Sequence, residues 1–166
     1  MRAKMRTRAR KSGRNRRGSA MIELAVTLPM LFVLVFGVME VGRALEVFQI
    51  LTTAVREGGR FGATDKQGFI PDGETANEKI SADVMNFLEA SGIPTGFADV
   101  EILTVPASGG TAVPFDFEDP NNHLQNFQVK VSVPYSAVSN CPPQILAYFA
   151  PTEIIVAQAT FRNYHK

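Results

Sequence analysis

The chain has 166 residues, with 17 Lys+Arg against 16 Asp+Glu, so it allows one modest domain and excludes a second globular core. The near balance of charge hides a strong polarity. Nine of the basic residues (Arg2, Lys4, Arg6, Arg8, Arg10, Lys11, Arg14, Arg16 and Arg17) precede Gly18 with no acid among them, and setting them aside leaves eight against sixteen acids, a remainder of −8.

The arm over residues 1–18 runs directly into Ser19–Met39, where Glu23 is the only charge. At about 1.5 Å per residue such a segment crosses a hydrocarbon core of about 30 Å, so a transmembrane helix in the lipid bilayer is expected over 19–40. Lys and Arg beside a first apolar segment stay in the cytoplasm, which puts the arm inside and everything after about Gly42 outside. A basic arm in this position sets topology and touches anionic lipid, and no nucleic acid is expected as a partner. A cleaved secretory signal has a shorter apolar core and a small-x-small site, and the nearest match, Gly42-Arg43-Ala44, has Glu40 in the way. Arg16-Arg17 is followed by Gly-Ser and not by the bulky apolar pair of a twin-arginine signal. Two readings stay open: an uncleaved signal anchor, and a segment clipped on its cytoplasmic side after Gly18.

Within the segment, a carboxylate such as Glu23 costs about 2.5–3.5 kcal/mol in lipid, so it calls for a partner or for a reach into interfacial water. Pro29 removes one backbone donor and is expected to kink the helix near Ala25, with Thr27 and neighbouring helices available to the freed carbonyls. A helical extension is expected over 41–62, because Val41, Ala44, Phe48, Leu51 and Val55 recur at three- and four-residue spacing. Gly58-Gly59 and Gly62 read as stop signals, and Arg56, Glu57 and Arg60 as solvated or capping charges at the end of the helix dipole.

Residues 63–166 are expected to form an extracytoplasmic α+β domain. Thr64 to Gly73 reads as a loop with a turn at Pro71-Asp72-Gly73. Thr75-Ala76-Asn77-Glu78 is a capping box opening a helix that buries Ile80, Val84, Phe87 and Leu88 and ends at Gly92 and Pro94. Strands are expected at Val100–Thr104, at Phe127–Val133, where alternation is clean and Pro134 stops it, and at Ile155–Phe161. Small residues at 157 and 159 leave room for a helix to approach the sheet. Pro106 to Leu124 reads as a long surface loop, and Pro142 to Phe149 as a short helical turn. The fold class is therefore α+β: a long N-terminal transmembrane helix continuing into a small domain with a second helix and a three-stranded, or four-stranded, antiparallel sheet.

Sequence patterns for chemistry are missing. His123 and His165 are far apart, and Cys141, the single cysteine, sits beside Pro142-Pro143 without a neighbour that would activate it. Asp116, Glu118 and Asp119 do not follow the EF-hand spacing. With no phosphate loop, nucleophile elbow or dinucleotide fingerprint, no enzyme, cofactor or metal is expected.

Arg16-Arg17-Gly18-Ser19-Ala20-Met21-Ile22-Glu23-Leu24 resembles the site read by prepilin peptidases in type IV pilins: a basic leader, Gly at −1, a small residue at +1 and Glu at +5. Leu24 stands at +6, where pilins of tight-adherence systems carry an aromatic. Glu23–Leu31, Phe36–Ala44 and the Ala54-Val55-Arg56-Glu57-Gly58-Gly59-Arg60 segment resemble the TadE-like family of minor pilins or pseudopilins from Tad (Flp) systems. The resemblance implies processing at Gly18 and Ser19 and a pairing of Glu23 with a freed N-terminal amine. It also implies helix packing through Glu23, Pro29, Gly37 and Gly42. As partners it implies a prepilin peptidase, the major Flp pilin, a TadF-like minor pilin and the Tad membrane platform with its cytoplasmic ATPase, at the bacterial inner membrane. From another class, a single-pass extracytoplasmic binding or accessory protein with an uncleaved anchor is the alternative.

Overall fold

The computed structural model describes residues 16–64, 70, 73–106, 110–139 and 153–164. Arm residues 1–15, the turn at Pro71-Asp72, Cys141, the helical turn expected over Pro142–Phe149, and His165 lie outside the described residues. The chain divides into two compact units, Met1–Val35 and Phe36–Lys166. Helix α1 (Arg16–Ala63) supplies all that is described of the first unit and continues in the second.

In the second unit the order after α1 is α2 (Ala76–Ala90), β1 (Asp99–Thr104), β2 (Asn126–Pro134), the single turn α3 (Tyr135–Val138) and β3 (Ile154–Arg162). The strands form one antiparallel sheet in the order β1-β2-β3, with Ile102 opposite Val129 and Val131 opposite Ala157. This is the expected α+β fold, with three strands among the described residues.

Local chemistry explains the ends of α2. The Thr75 hydroxyl accepts from the Glu78 amide at 3.2 Å while the Thr75 amide donates to Glu78 Oε2 at 2.9 Å, so two amides that have no partner within the helix are satisfied reciprocally. At the other end Gly92 takes φ +76°, its amide donates to Glu89 O and the Ile93 amide to Leu88 O, both at 2.9 Å. That is a Schellman ending, and it needs the left-handed conformation only glycine adopts freely. Ile93, folded back by it, is buried near Leu88, and Ala76, Ile80, Val84 and Leu88 form the buried face of the helix.

The core face of the sheet is Phe127, Val129, Val131 and Val133 with Ala157, all buried. Its outer face carries Gln128, Lys130 and Ser132, and Lys130 Nζ meets Glu101 Oε2 at 2.6 Å across directly paired positions.

Three expectations need correction. The glycines of the Gly58-Gly59 pair do not stop α1, which continues to Ala63, because they face neighbours that leave no room for a side chain. A Cβ on Gly58 would lie 2.6 Å from Val84 Cγ2, one on Gly62 2.8 Å from Phe127 Cζ, and one on Gly59 would fall against the Phe161 ring. Second, the segment from Pro106 to Leu124 is not only a surface loop. It inserts Phe115 and Phe117 into the core, where their ring centroids lie 4.9 Å apart and the Phe117 ring meets Phe127 edge-on at 4.8 Å. Asn77 holds this insertion from α2: its Nδ2 donates to Phe115 O at 2.5 Å and its Oδ1 accepts from the Phe117 amide at 3.3 Å. Third, the apolar stripe expected on 41–55 is two faces. Leu51 and Val55 are buried together with Val47, whereas Val41 and Phe48 are exposed.

Thr75→Ala should cost about 1 kcal/mol of domain stability, measurable by thermal unfolding. The Thr75 amide and hydroxyl, in that order, hold the Glu78 carboxyl below its ordinary value. Stability from this contact is therefore complete above the ordinary carboxylate range and fades as pH falls through the lowered value. Glu78→Gln should flatten that part of the acid limb while leaving the helix intact.

Candidate assembly and processing site

Gly18 and Ser19 lie in α1, near the start of its described residues, and are exposed. A Cβ added at Gly18 would meet nothing within 4 Å, so the fold itself does not demand glycine there. Glu23 is one turn from Ser19 on the same helix face, is exposed, and makes no ion pair among the described residues.

The helix is assigned without a break through Pro29. Thr27 does not serve the carbonyl that Pro29 releases, that of Ala25; its Oγ1 donates to Glu23 O at 2.9 Å and to Leu24 O at a longer 3.4 Å. Such back-bonding by a threonine two residues ahead of a proline favours a bend in the same stretch.

From Met21 to Val35 the large apolar side chains are exposed, Met21 at 71 % and Met30 at 72 %. Among the described residues this is the one helix long and apolar enough to cross a membrane, and none of them buries its most apolar stretch. A core helix of a soluble domain buries such a stretch, so the feature is compatible with a membrane anchor. A Cβ added at Gly37 or Gly42 would likewise meet nothing within 4 Å, in contrast to Gly58, Gly59 and Gly62.

The second unit grips its own end of α1 at a residue that sequence reasoning passed over. Glu40, the acid after the apolar run, is 1 % exposed. Its Oε1 accepts from Ser139 Oγ at 3.4 Å and its main-chain carbonyl from the Tyr135 hydroxyl at 3.2 Å. Three residues on, Arg43 Nε donates to Val138 O at 3.2 Å and Nη1 pairs with Glu46 at 2.9 Å. Glu40 and Arg43 are thus built into the fold by α3 and Ser139, and a signal cleavage at Gly42-Arg43-Ala44 would remove part of the folded unit. No local pattern marks Glu40 for burial beside Tyr135 and Ser139, which lie 95 and 99 residues away.

Near the end of α1, Arg60 pairs with Glu57 at 2.6 Å, and both, like Arg56, are exposed. His123 is exposed. The Asp116 carboxylate accepts from the Glu118 amide, and that of Asp119 from the Asn121 amide, each at 2.9 Å, so both close local turns.

Residues 18–60 are similar to the family model described as TadE-like protein. No curated protein and no solved structure matches the chain. The matched stretch runs from the Gly18–Ser19 position to the Arg56-Glu57-Gly58-Gly59-Arg60 segment and stops short of α2 and the sheet.

Two glycine classes predict opposite outcomes for one substitution. Gly42→Ala should raise the stability of the isolated domain fold by roughly 0.5–1 kcal/mol, the ordinary helical difference. Gly59→Ala should lower it by about 1–3 kcal/mol, because Phe161 must leave its position. Denaturant midpoints of the two full-length variants in detergent check both signs.

Proposed function

We propose that this chain is a minor pilin or pseudopilin of a Tad (Flp) system, anchored in the bacterial inner membrane by residues 19–40 and helping to assemble an adhesive pilus. One observation carries the reading: in the segment similar to TadE-like proteins, a single helix leaves its apolar N-terminal half uncovered among the described residues and builds its C-terminal half into a domain. That division suits assembly work. An uncovered apolar helix can stay in lipid or pack laterally against other pilin helices, while the attached domain keeps its own core.

In this reading the basic arm stays in the cytoplasm and the acidic domain faces outward. A prepilin peptidase cuts between Gly18 and Ser19, and the Ser19 amine then gives Glu23 a cationic partner on its own or a neighbouring subunit. Gly37 and Gly42 serve close packing against the major Flp pilin or a TadF-like minor pilin, and the Tad platform moves the subunit. The role is structural and not catalytic. The sequence patterning of the arm and first turn supports this reading over an uncleaved anchor, because Gly18 is not required by the fold around it.

The test is the mass of the mature chain. A start at Ser19 is expected in the native protein, and Gly18→Ile should retain the leader at unchanged membrane abundance, since space around Gly18 is open. A Gly18→Ile chain of mature mass would place the cut elsewhere. Glu23→Ala and Glu23→Gln should both keep the chain in the membrane while reducing crosslinks to other pilins and pilus output. Undiminished crosslinking in both would remove the amine pairing and leave Glu23 a carboxylate that reaches interfacial water.

A further inference from the structure

We propose that the end of the second unit holding Phe97 and Ile154 rests on the lipid headgroups, as a membrane contact additional to the helix. Phe97, in the short helical turn Thr95–Phe97, is 65 % exposed, and Ile154, at the start of β3, is 57 % exposed. Register brings them to one end of the sheet. β1 starts at Asp99, opposite Ser132 and through it Val156, and Ile154 lies opposite Pro134, where β2 ends. Phe97 comes just before β1, so exposed apolar side chains, Val156 among them, mark the end where β1 and β3 begin and β2 stops.

The contacts of α1 set the height of that end. At the far end of the sheet Gly59 lies against Phe161 and Gly62 against Phe127. At the near end the hydroxyl of Tyr135, directly after β2, donates to Glu40 O, and Val138 O accepts from Arg43. Within this unit, helix and sheet therefore run alongside each other. From Phe161 back to Ile154 is about 23 Å of strand, matched by about 15 residues of helix, which lead from Gly59 back to about Ala44. The lipid-length segment ends at Met39, so Ile154 and Pro134 lie about 7.5 Å beyond it. The headgroup region takes up about 5–7.5 Å on each side of the hydrocarbon core. The apolar end of the sheet is thus held at the level where Phe and other apolar side chains enter a membrane surface.

Attachment selects lipid as the occupant. α1 runs from the apolar segment into this unit as one helix, so the bilayer surface faces that end for as long as the segment stays inserted, and any other partner has to displace it. Asp99 and Glu153 are exposed at the same end, which keeps the contact shallow, among headgroups, and favours zwitterionic over anionic lipid. The inference rests on the membrane anchoring proposed above and requires neither a pilus nor a cut after Gly18.

The chain has no tryptophan, so single substitutions report one position each. The full chain is reconstituted in phosphatidylcholine vesicles, with and without bromine on the upper part of the acyl chains. Emission from Phe97→Trp and Ile154→Trp should shift to shorter wavelength and be quenched by the brominated lipid, with little quenching by iodide. Val113→Trp, at an exposed position bonded to Thr104 at the far end of the sheet, should respond to iodide alone. Val33→Trp, within the apolar segment, reads the anchoring separately. Bromine quenching there while positions 97 and 154 behave as Val113→Trp does would overturn the headgroup contact and leave the anchor standing. Without bromine quenching at 33, both fall. Shielding of 97 and 154 from iodide without bromine quenching would mean a protein cover and overturn the lipid contact. Adding Phe97→Asp to Ile154→Trp should weaken the bromine quenching at 154, and no change would remove Phe97 from the contact.

Discussion

The folded unit depends on how closely α1 approaches α2 and the sheet, and that distance is set where Gly58, Gly59 and Gly62 present bare backbone. Through these three positions Val84 and Ile80 of α2, Phe161 of β3 and Phe127 of β2 come within reach of the helix itself. Each glycine in a helix interior forgoes roughly 0.5–1 kcal/mol relative to alanine. The loss is offset because large side chains fill the vacated volume, and a filled core of Phe115, Phe117, Phe127 and Phe161 rings is worth more than the local helical preference. The same residues that weaken the helix as an isolated element thus strengthen it as a member of the fold.

What could be read in the sequence was whatever two or three neighbouring residues determine together. The capping box at Thr75 and Glu78, the alternation of β2 ended by Pro134, and the uncovered apolar run before Glu40 are short-range patterns, and each has its expected place in the structure. Readings failed where a residue's role is assigned by a distant one. Gly58-Gly59 carries the composition of a helix stop, but Val84 and Phe161 make it a contact surface. Phe115 and Phe117 sit in a stretch whose Gly, Pro, Asp and Asn content announces a loop, and only Asn77, 38 and 40 residues earlier in sequence, reveals why it turns inward. The alternation Phe115-Asp116-Phe117 was the available signal, and it is too short to stand against the surrounding composition.

For the candidate site the division is similar. The order of basic arm, Gly18, Ser19, Glu23 and apolar run is entirely local and is read without a structure, and the match over residues 18–60 overlaps it from Gly18 onward. The burial of Glu40 was not legible, because a glutamate following an apolar segment reads as the first polar residue outside it. A burial of that kind requires hydrogen-bond partners, and Ser139 brings one from the far side of the chain.

That burial bears on how one helix can serve two surroundings. Glu40 and Arg43 sit where the uncovered apolar run meets the folded unit, and if both projected freely they would surround the helix with charge at that level. Instead α3 and Ser139 draw Glu40 inward, and Arg43 is turned to Val138 O and Glu46. The opposite side keeps Val38, Val41 and Leu45 exposed without interruption. Enclosing one carboxyl group inside the domain is therefore what allows the apolar surface of α1 to continue past the end of the lipid-length segment, and with it any helix packing that begins in the membrane.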